Sequence, residues 1–290
     1  MKADEVERVG VIGCGIMGSG IVEVVARSGG TVTFVEVSDE KIASGTKAIE
    51  RSTGKAAERG KLSEEDRKSL LDRITGTTDI SAVADADLVI EAATEDMATK
   101  LEIFAKLEEL TRPEVVLATN TSSLPIAELA ATKRPDKIIG MHFFNPPPIM
   151  KLLELVRGLQ TSDETLEFAQ AYGERLGKTT VLSKDRAGFI VNFLLVPYLN
   201  SAVGMLEQGF ATREDIDTAV TLGLGHPMGP LTLLDLVGLD TALSISNVLY
   251  DEFKDPIYSA PTLLKRMVAA GFLGRKSGRG FYDYSGGEQK

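Results

Sequence analysis

Gly13-Cys14-Gly15-Ile16-Met17-Gly18 lies between a short apolar run, Arg8 to Ile12, and a helix-like run that continues to Arg27. Gly29-Gly30 stops that helix, and Thr31 to Val35 reads as a second, β-branched strand ending at Glu36. This order describes a βαβ unit with a glycine-rich first turn. Each glycine has a separate role. Gly13 permits the tight turn, Gly15 lets a pyrophosphate approach the backbone, and Gly18 lets helix and strand pack closely. The helix opening at Ile16 and Met17 offers backbone N–H groups to the phosphates. Glu36 is placed to accept hydrogen bonds from the adenosine ribose. Its charge would repel a 2′-phosphate, so NAD is the expected cofactor rather than NADP.

The alternation continues. Asp39 to Gly60, Ser63 to Asp72 and Lys100 to Leu110 read as helices, and Ile74 to Thr78, Leu88 to Ala92, Val115 to Thr119 and Ile138 to His142 as strands. Leu152 to Val156 and Thr179 to Leu182 would extend the sheet, with Glu164 to Leu176 as a helix between them. Short strands alternating with helices predict an α/β, Rossmann-type doubly wound sheet, largely parallel and covered on both faces. The pattern changes near Ala187-Gly188. Beyond it, Phe189 to Gln208, Arg213 to Leu222, Pro230 to Phe253 and Ala260 to Ala270 read as helices, with no convincing strand. Two domains are expected, residues 1–186 and an all-helical 187–290. Phe189 to Gln208 is apolar nearly all round, and a domain of that size has limited interior. A homodimer through the helical domain is therefore expected. The glycine-rich end, Gly274 to Lys290, reads as a terminal loop or tail.

Composition narrows the partners. A net charge of −10 disfavours nucleic acid. The charged start, MKADEVER, does not read as a secretory signal, and no apolar run approaches the ~20 residues that span a bilayer. No membrane partner is expected. The single cysteine, Cys14, fits a reducing cytoplasm and reads as a small filler in the glycine loop. Clusters of metal ligands are absent from the sequence, so no metal site is expected.

Chemistry concentrates in residues 142–154, His-Phe-Phe-Asn-Pro-Pro-Pro-Ile-Met-Lys-Leu-Leu-Glu. Three prolines force a turn. His142 and Glu154 each lie six residues from Pro148, so a return centred there brings them side by side. An imidazole held by a carboxylate is a general base suited to neutral pH. A core histidine solvated by a glutamate has the same appearance. Asn120-Thr121-Ser122-Ser123 follows the strand Val115 to Thr119, where doubly wound sheets bind ligands. It could equally cap a helix starting at Pro125. Asn192, early in an apolar helix, needs a backbone or ligand partner. Lys47, Arg51, Lys55 and Arg59 recur every fourth residue and could meet a polyphosphate, or form a solvated face with Glu50 and Glu58. His226, in the turn Gly225 to Pro230, reads as structural.

Taken together, GCGIMGSG (13–20), IEAATED (90–96), ATNTSS (118–123), GMHFFNPPPIMKLLELV (140–156), GFIVNFLLVPYL (188–199), LGHPMGPLTLLDLVGLD (224–240) and GRKSGRGFYDY (274–284) cover nearly the whole chain. They resemble the L-3-hydroxyacyl-CoA dehydrogenase family, particularly its short bacterial 3-hydroxybutyryl-CoA dehydrogenases. The resemblance implies reversible, NAD-dependent oxidation of a (3S)-3-hydroxyacyl-CoA. It implies His142 as base, Glu154 as its electrostatic partner, and Ser122 and Asn192 as holders of the reacting oxygens. Glu95, Lys100, Asn145 and Lys276 would line the nicotinamide and substrate crevice, beside the Asn120 cluster. Ser52, Lys55 and Arg59 would meet coenzyme A, which favours the ligand reading of the basic strip. Three positions depart from the family pattern: Phe193 where arginine is common, Glu36 where aspartate is common, and Asp96 where a basic or amide residue is frequent. Two other readings remain: a dehydrogenase of the same build acting on a free hydroxy acid such as a sugar acid, and a non-enzymatic dinucleotide-binding protein. The intact set of Ser122, His142, Glu154 and Asn192 argues against the second.

Overall fold

The computed structural model describes residues 2–286. The chain divides into two compact units, Met1–Arg186 and Ala187–Lys290. In the first unit, β1 (Arg8–Ile12), α1 (Ile16–Arg27), β2 (Thr31–Val35), α2 (Asp39–Glu58), α3 (Glu64–Leu71) and β3 (Ile74–Thr77) are followed by β4 (Leu88–Glu91), α4 (Met97–Leu110), β5 (Val116–Thr119) and α5 (Ile126–Leu129). β6 (Ile138–Phe143), β7 (Leu152–Arg157), α6 (Asp163–Arg175) and β8 (Thr179–Lys184) complete it.

The eight strands form one sheet in the order β3-β2-β1-β4-β5-β6-β7-β8. All neighbours are parallel except β6 and β7, which are antiparallel because the proline turn returns the chain directly. Strand order reverses between β1 and β4, the switch point where such sheets bind ligands. Central strands are buried on both faces: Val11, Leu88, Ile90, Leu117 and Ile139 are fully covered. That burial explains their unbroken apolar sequence.

Helix starts in this unit carry side-chain caps. Ser38 accepts from Lys41 N, Ser63 from Asp66 N, Asp96 from Thr99 N and Ser162 from Thr165 N. Asp96, one of the departures from the family pattern, is thus the cap of α4, which places that helix start at Met97 rather than Lys100. α1 and α5 are the exceptions, with Gly15 and Pro125 at their N-caps and no side-chain cap from either.

The second unit holds α7 (Val191–Glu207), α8 (Arg213–Leu224), α9 (Pro230–Val237), α10 (Leu239–Phe253) and α11 (Thr262–Ala269). It has no strand among the described residues beyond isolated bridges at Gly274, Arg279 and Asp283. The single helix expected over Pro230 to Phe253 is two helices. Gly238 stands between them at φ 101°, a left-handed value that ends α9. α7 starts at Val191 rather than Phe189, since Gly188 and Phe189 have φ of 78° and 49°. Phe193, the second departure, packs its ring against Phe253 and Tyr258, with 5.6 Å between centroids in each case.

The terminal segment is not a loose tail up to residue 286. Phe281 is buried, and Asp235 accepts from Phe281 N, Tyr282 N and the Tyr284 hydroxyl. The last four residues of that expectation, 287–290, lie outside the described residues. No single helix of the described chain is long and apolar enough to cross a membrane.

Candidate active site

The glycine turn sits at the switch point. A Cβ on Gly13 would lie 2.6 Å from Ala93 Cα, so the loops after β1 and β4 touch there. A Cβ on Gly18 would lie 2.0 Å from Gly13 O, which is the close approach that position demands. Gly15 meets nothing within 4 Å, leaving the space a pyrophosphate needs before the uncapped start of α1 at Ile16 and Met17. These residues fit a dinucleotide. Glu36, at the end of β2, accepts from Cys14 N through Oε1 at 2.5 Å and from Val37 N through Oε2 at 3.2 Å. Cys14 is buried against Gly45 of α2, where a Cβ would lie 2.6 Å from Sγ. Burial and the Glu36 charge push its thiol up to about 12, which makes it a filler and not a nucleophile.

His142 and Glu154 are direct partners in the β6–β7 ladder. His142 Nδ1 lies 2.7 Å from Glu154 Oε2, with the residues 6% and 0% exposed. A carboxylate at Nδ1 selects the tautomer with the proton there, so Nε2 carries the lone pair of the neutral ring. The Phe144 ring lies 4.6 Å from that of His142, tilted by 53°.

The Asn120 cluster joins this strand. Asn120 Oδ1 accepts from Phe143 N at 2.8 Å, tying the end of β5 to the residue after His142. The helix-cap reading fails: Ile126 N and Ala127 N at the start of α5 donate to Asp185, 59 and 58 residues away. Thr121 Oγ1 instead accepts from Ser123 N and Leu124 N within the turn. The whole turn closes around Glu95. Its Oε1 receives the Thr121, Ser122 and Ser123 hydroxyls at 2.7, 3.0 and 3.1 Å, and Ser122 N and Ser123 N at 2.8 and 3.1 Å.

Lys100 is 1% exposed, and its Nζ lies 2.5 Å from Glu91 Oε2 and 3.9 Å from Glu95 Oε2. Glu91, itself fully buried, also accepts from Thr119 Oγ1 and Ala93 N. Sequence reasoning missed Glu91. A charged residue closing the apolar run Leu88 to Ile90 was the available signal. Asn145 is exposed in the turn after β6.

Asn192 and Lys276 belong to the second unit. Asn192 is 8% exposed near the start of α7. Lys276 Nζ is held by Asp240 at 2.5 Å. His226 is exposed, with Nδ1 3.4 Å from the Tyr198 hydroxyl.

On α2, Gly45, Ile49 and Thr53 form the buried stripe, while Lys47, Arg51, Lys55 and Arg59 are exposed and Ser52 is half-buried. Among the described residues none of these four cations has an ion pair within 4 Å, so Glu50 and Glu58 do not neutralise them.

Residues 8–186 match the NAD binding domain of 3-hydroxyacyl-CoA dehydrogenase, and residues 188–284 match its C-terminal domain. The chain belongs to the 3-hydroxyacyl-CoA dehydrogenase family. A 3-hydroxybutyryl-CoA dehydrogenase of Mycobacterium tuberculosis is 53% identical over 288 residues, covering 97% of this chain and 100% of that protein. The crystal structure of M. tuberculosis FadB2 superposes with a TM-score of 0.94 at 52% identity, covering 96% of this chain and 99% of the other. That of the (S)-3-hydroxybutyryl-CoA dehydrogenase PaaH1 from Ralstonia eutropha gives 0.91 at 45% identity, with 97% and 99% covered. Family membership makes the chain an NAD-dependent dehydrogenase.

Proposed function

We propose that the chain catalyses the reversible oxidation of (3S)-3-hydroxybutyryl-CoA to acetoacetyl-CoA. The observation that carries this reading is the buried His142–Glu154 pair in a member of this family. His142 Nε2 takes the proton of the 3-hydroxyl in oxidation and returns it in reduction. Glu154 holds the ring in that tautomer and stabilises the imidazolium. When bound, NAD accepts the hydride from C3. Ser122 and Asn192 hold the reacting oxygen. Gly13, Gly15, Ile16, Met17, Gly18 and Glu36 bind the adenosine and pyrophosphate half of the cofactor. Glu95, Lys100, Asn120, Asn145 and Lys276 serve its nicotinamide half. Ser52, Lys55 and Arg59 bind coenzyme A, and the unneutralised cations of α2 support this.

The protein acts in the cytoplasm as a homodimer formed through its helical unit. Leu194 on α7 is 68% exposed, an apolar surface that a second copy would cover.

Initial rates with NADH and NADPH, on acetoacetyl-CoA, longer 3-oxoacyl-CoAs and free acetoacetate, test the reading. Activity is expected with NADH and acetoacetyl-CoA and lost without the CoA moiety. Equal rates on the free acid would overturn it.

A further inference from the structure

Lys178 stands just before β8, 9% exposed. Its Nζ donates to Pro147 O at 2.5 Å and to Met150 O at 2.7 Å. Among the described residues no carboxylate lies within ion-pair distance of it. A buried ammonium without a counter-charge is costly, and burial lowers its pKa. Its two carbonyl partners both belong to the turn between β6 and β7. That turn is also seated on a helix. Pro147 is buried against α1, where a Cβ on Gly20 would lie 2.5 Å from Pro147 Cδ.

The β6–β7 ladder sets the register of His142 and Glu154 by itself. It does not hold the chain beyond Phe143, where Phe144 lays its ring against His142 and Asn145 follows. These residues are fixed by where the turn is tied down.

We propose that Lys178 is a positioning residue for the reaction: by gripping the carbonyls of Pro147 and Met150, it seats the proline turn on α1 and fixes Phe144 and Asn145 beside His142. The cofactor helix and the strand bearing the base are thereby set relative to one another within one unit. This rests on the assignment of His142 as the base.

Wild type, Lys178→Met and His142→Gln are compared using 3-hydroxybutyryl-CoA carrying hydrogen or deuterium at C3, each protein first shown to be folded by its melting curve. Met keeps the apolar stem and removes the donors. Lys178→Met is expected to lower kcat by roughly 10- to 100-fold, leave both KM values near wild type and raise the isotope effect on kcat. A merely destabilised protein loses active fraction without a change in isotope effect. Lys178→Gln, which keeps a donor, is expected to fall between. Wild-type kcat and isotope effect in folded Lys178→Met overturn the proposal when His142→Gln is inactive, whereas an active His142→Gln overturns the assignment of the base. If Lys178→Met does not fold, Gly20→Ala, which presses a methyl onto Pro147 from α1, is read by the same isotope effect with the same two outcomes.

Discussion

His142 and Glu154 face each other across one antiparallel pair of strands, Nδ1 to Oε2 at 2.7 Å, in a layer of the sheet with almost no solvent. Replacing His142 by Gln or Ala removes the proton acceptor and leaves the glycine turn untouched. Turnover should fall by ~10²–10⁴-fold while NADH binding, measured by fluorescence titration, stays near wild type. Near-normal turnover in either variant would sink the assignment.

Glu154→Gln keeps the shape and removes the charge. The imidazolium formed in the reaction loses its counter-charge, so the maximal rate should fall while NADH binding stays near wild type. An unchanged maximal rate would mean that the carboxylate does not act through the ring.

Glu36 closes β2, and its carboxylate reaches Cys14 N in the glycine loop. A negative group there repels a 2′-phosphate on the ribose. NADH should be preferred, and Glu36→Ala should narrow the ratio of kcat/KM for NADH over NADPH. A wild-type protein that favours NADPH contradicts this directly.

Lys55 on α2 and Arg59 at its C-cap are exposed, and among the described residues neither has an ion-pair partner. Converting both to Gln should raise KM for the acyl-CoA, leave KM for NADH unchanged and barely alter kcat, the pattern of a contact made equally in ground and transition states. It should also flatten the dependence of that KM on salt. Wild-type KM at low salt in the double variant would leave the strip as a solvated face.

Asp87 staples the start of β1, accepting from Glu7 N and Arg8 N through Oδ2 and from Arg112 through Oδ1. Burial alone would raise its carboxyl, but hydrogen bonds from Arg8 N, Arg112 and Glu7 N outweigh it and hold the group below its ordinary 3.8. The unfolded chain then binds this proton more readily than the folded one. The contribution to stability is complete above that value and is lost as pH falls below it. Asp87→Asn should melt lower than wild type at neutral pH and lose less melting temperature between pH 5 and about 3. Parallel melting curves across that range would refute the linkage.

Local chemistry made much of this protein legible from its sequence. The glycine turn, its flanking strands and Glu36 all fall within one βαβ unit, where spacing alone dictates position. His142 and Glu154 were readable as a pair because an antiparallel return makes residues equidistant from the turn into neighbours, and the prolines mark the turn. Other features depended on contacts between distant segments, which leave no periodicity to read. Glu95 collects the Thr121 to Ser123 turn from across the β4–β5 pair, and Asp185 rather than the Asn120 cluster caps α5. Gly238 looked like any glycine within a helix until its left-handed φ broke Pro230 to Phe253 into two. Lys178 carried no sequence signal at all, since a lysine before a strand is ordinarily solvated. The fold removes it from water and gives it two carbonyls, and only the packing of the proline turn against α1 decides that.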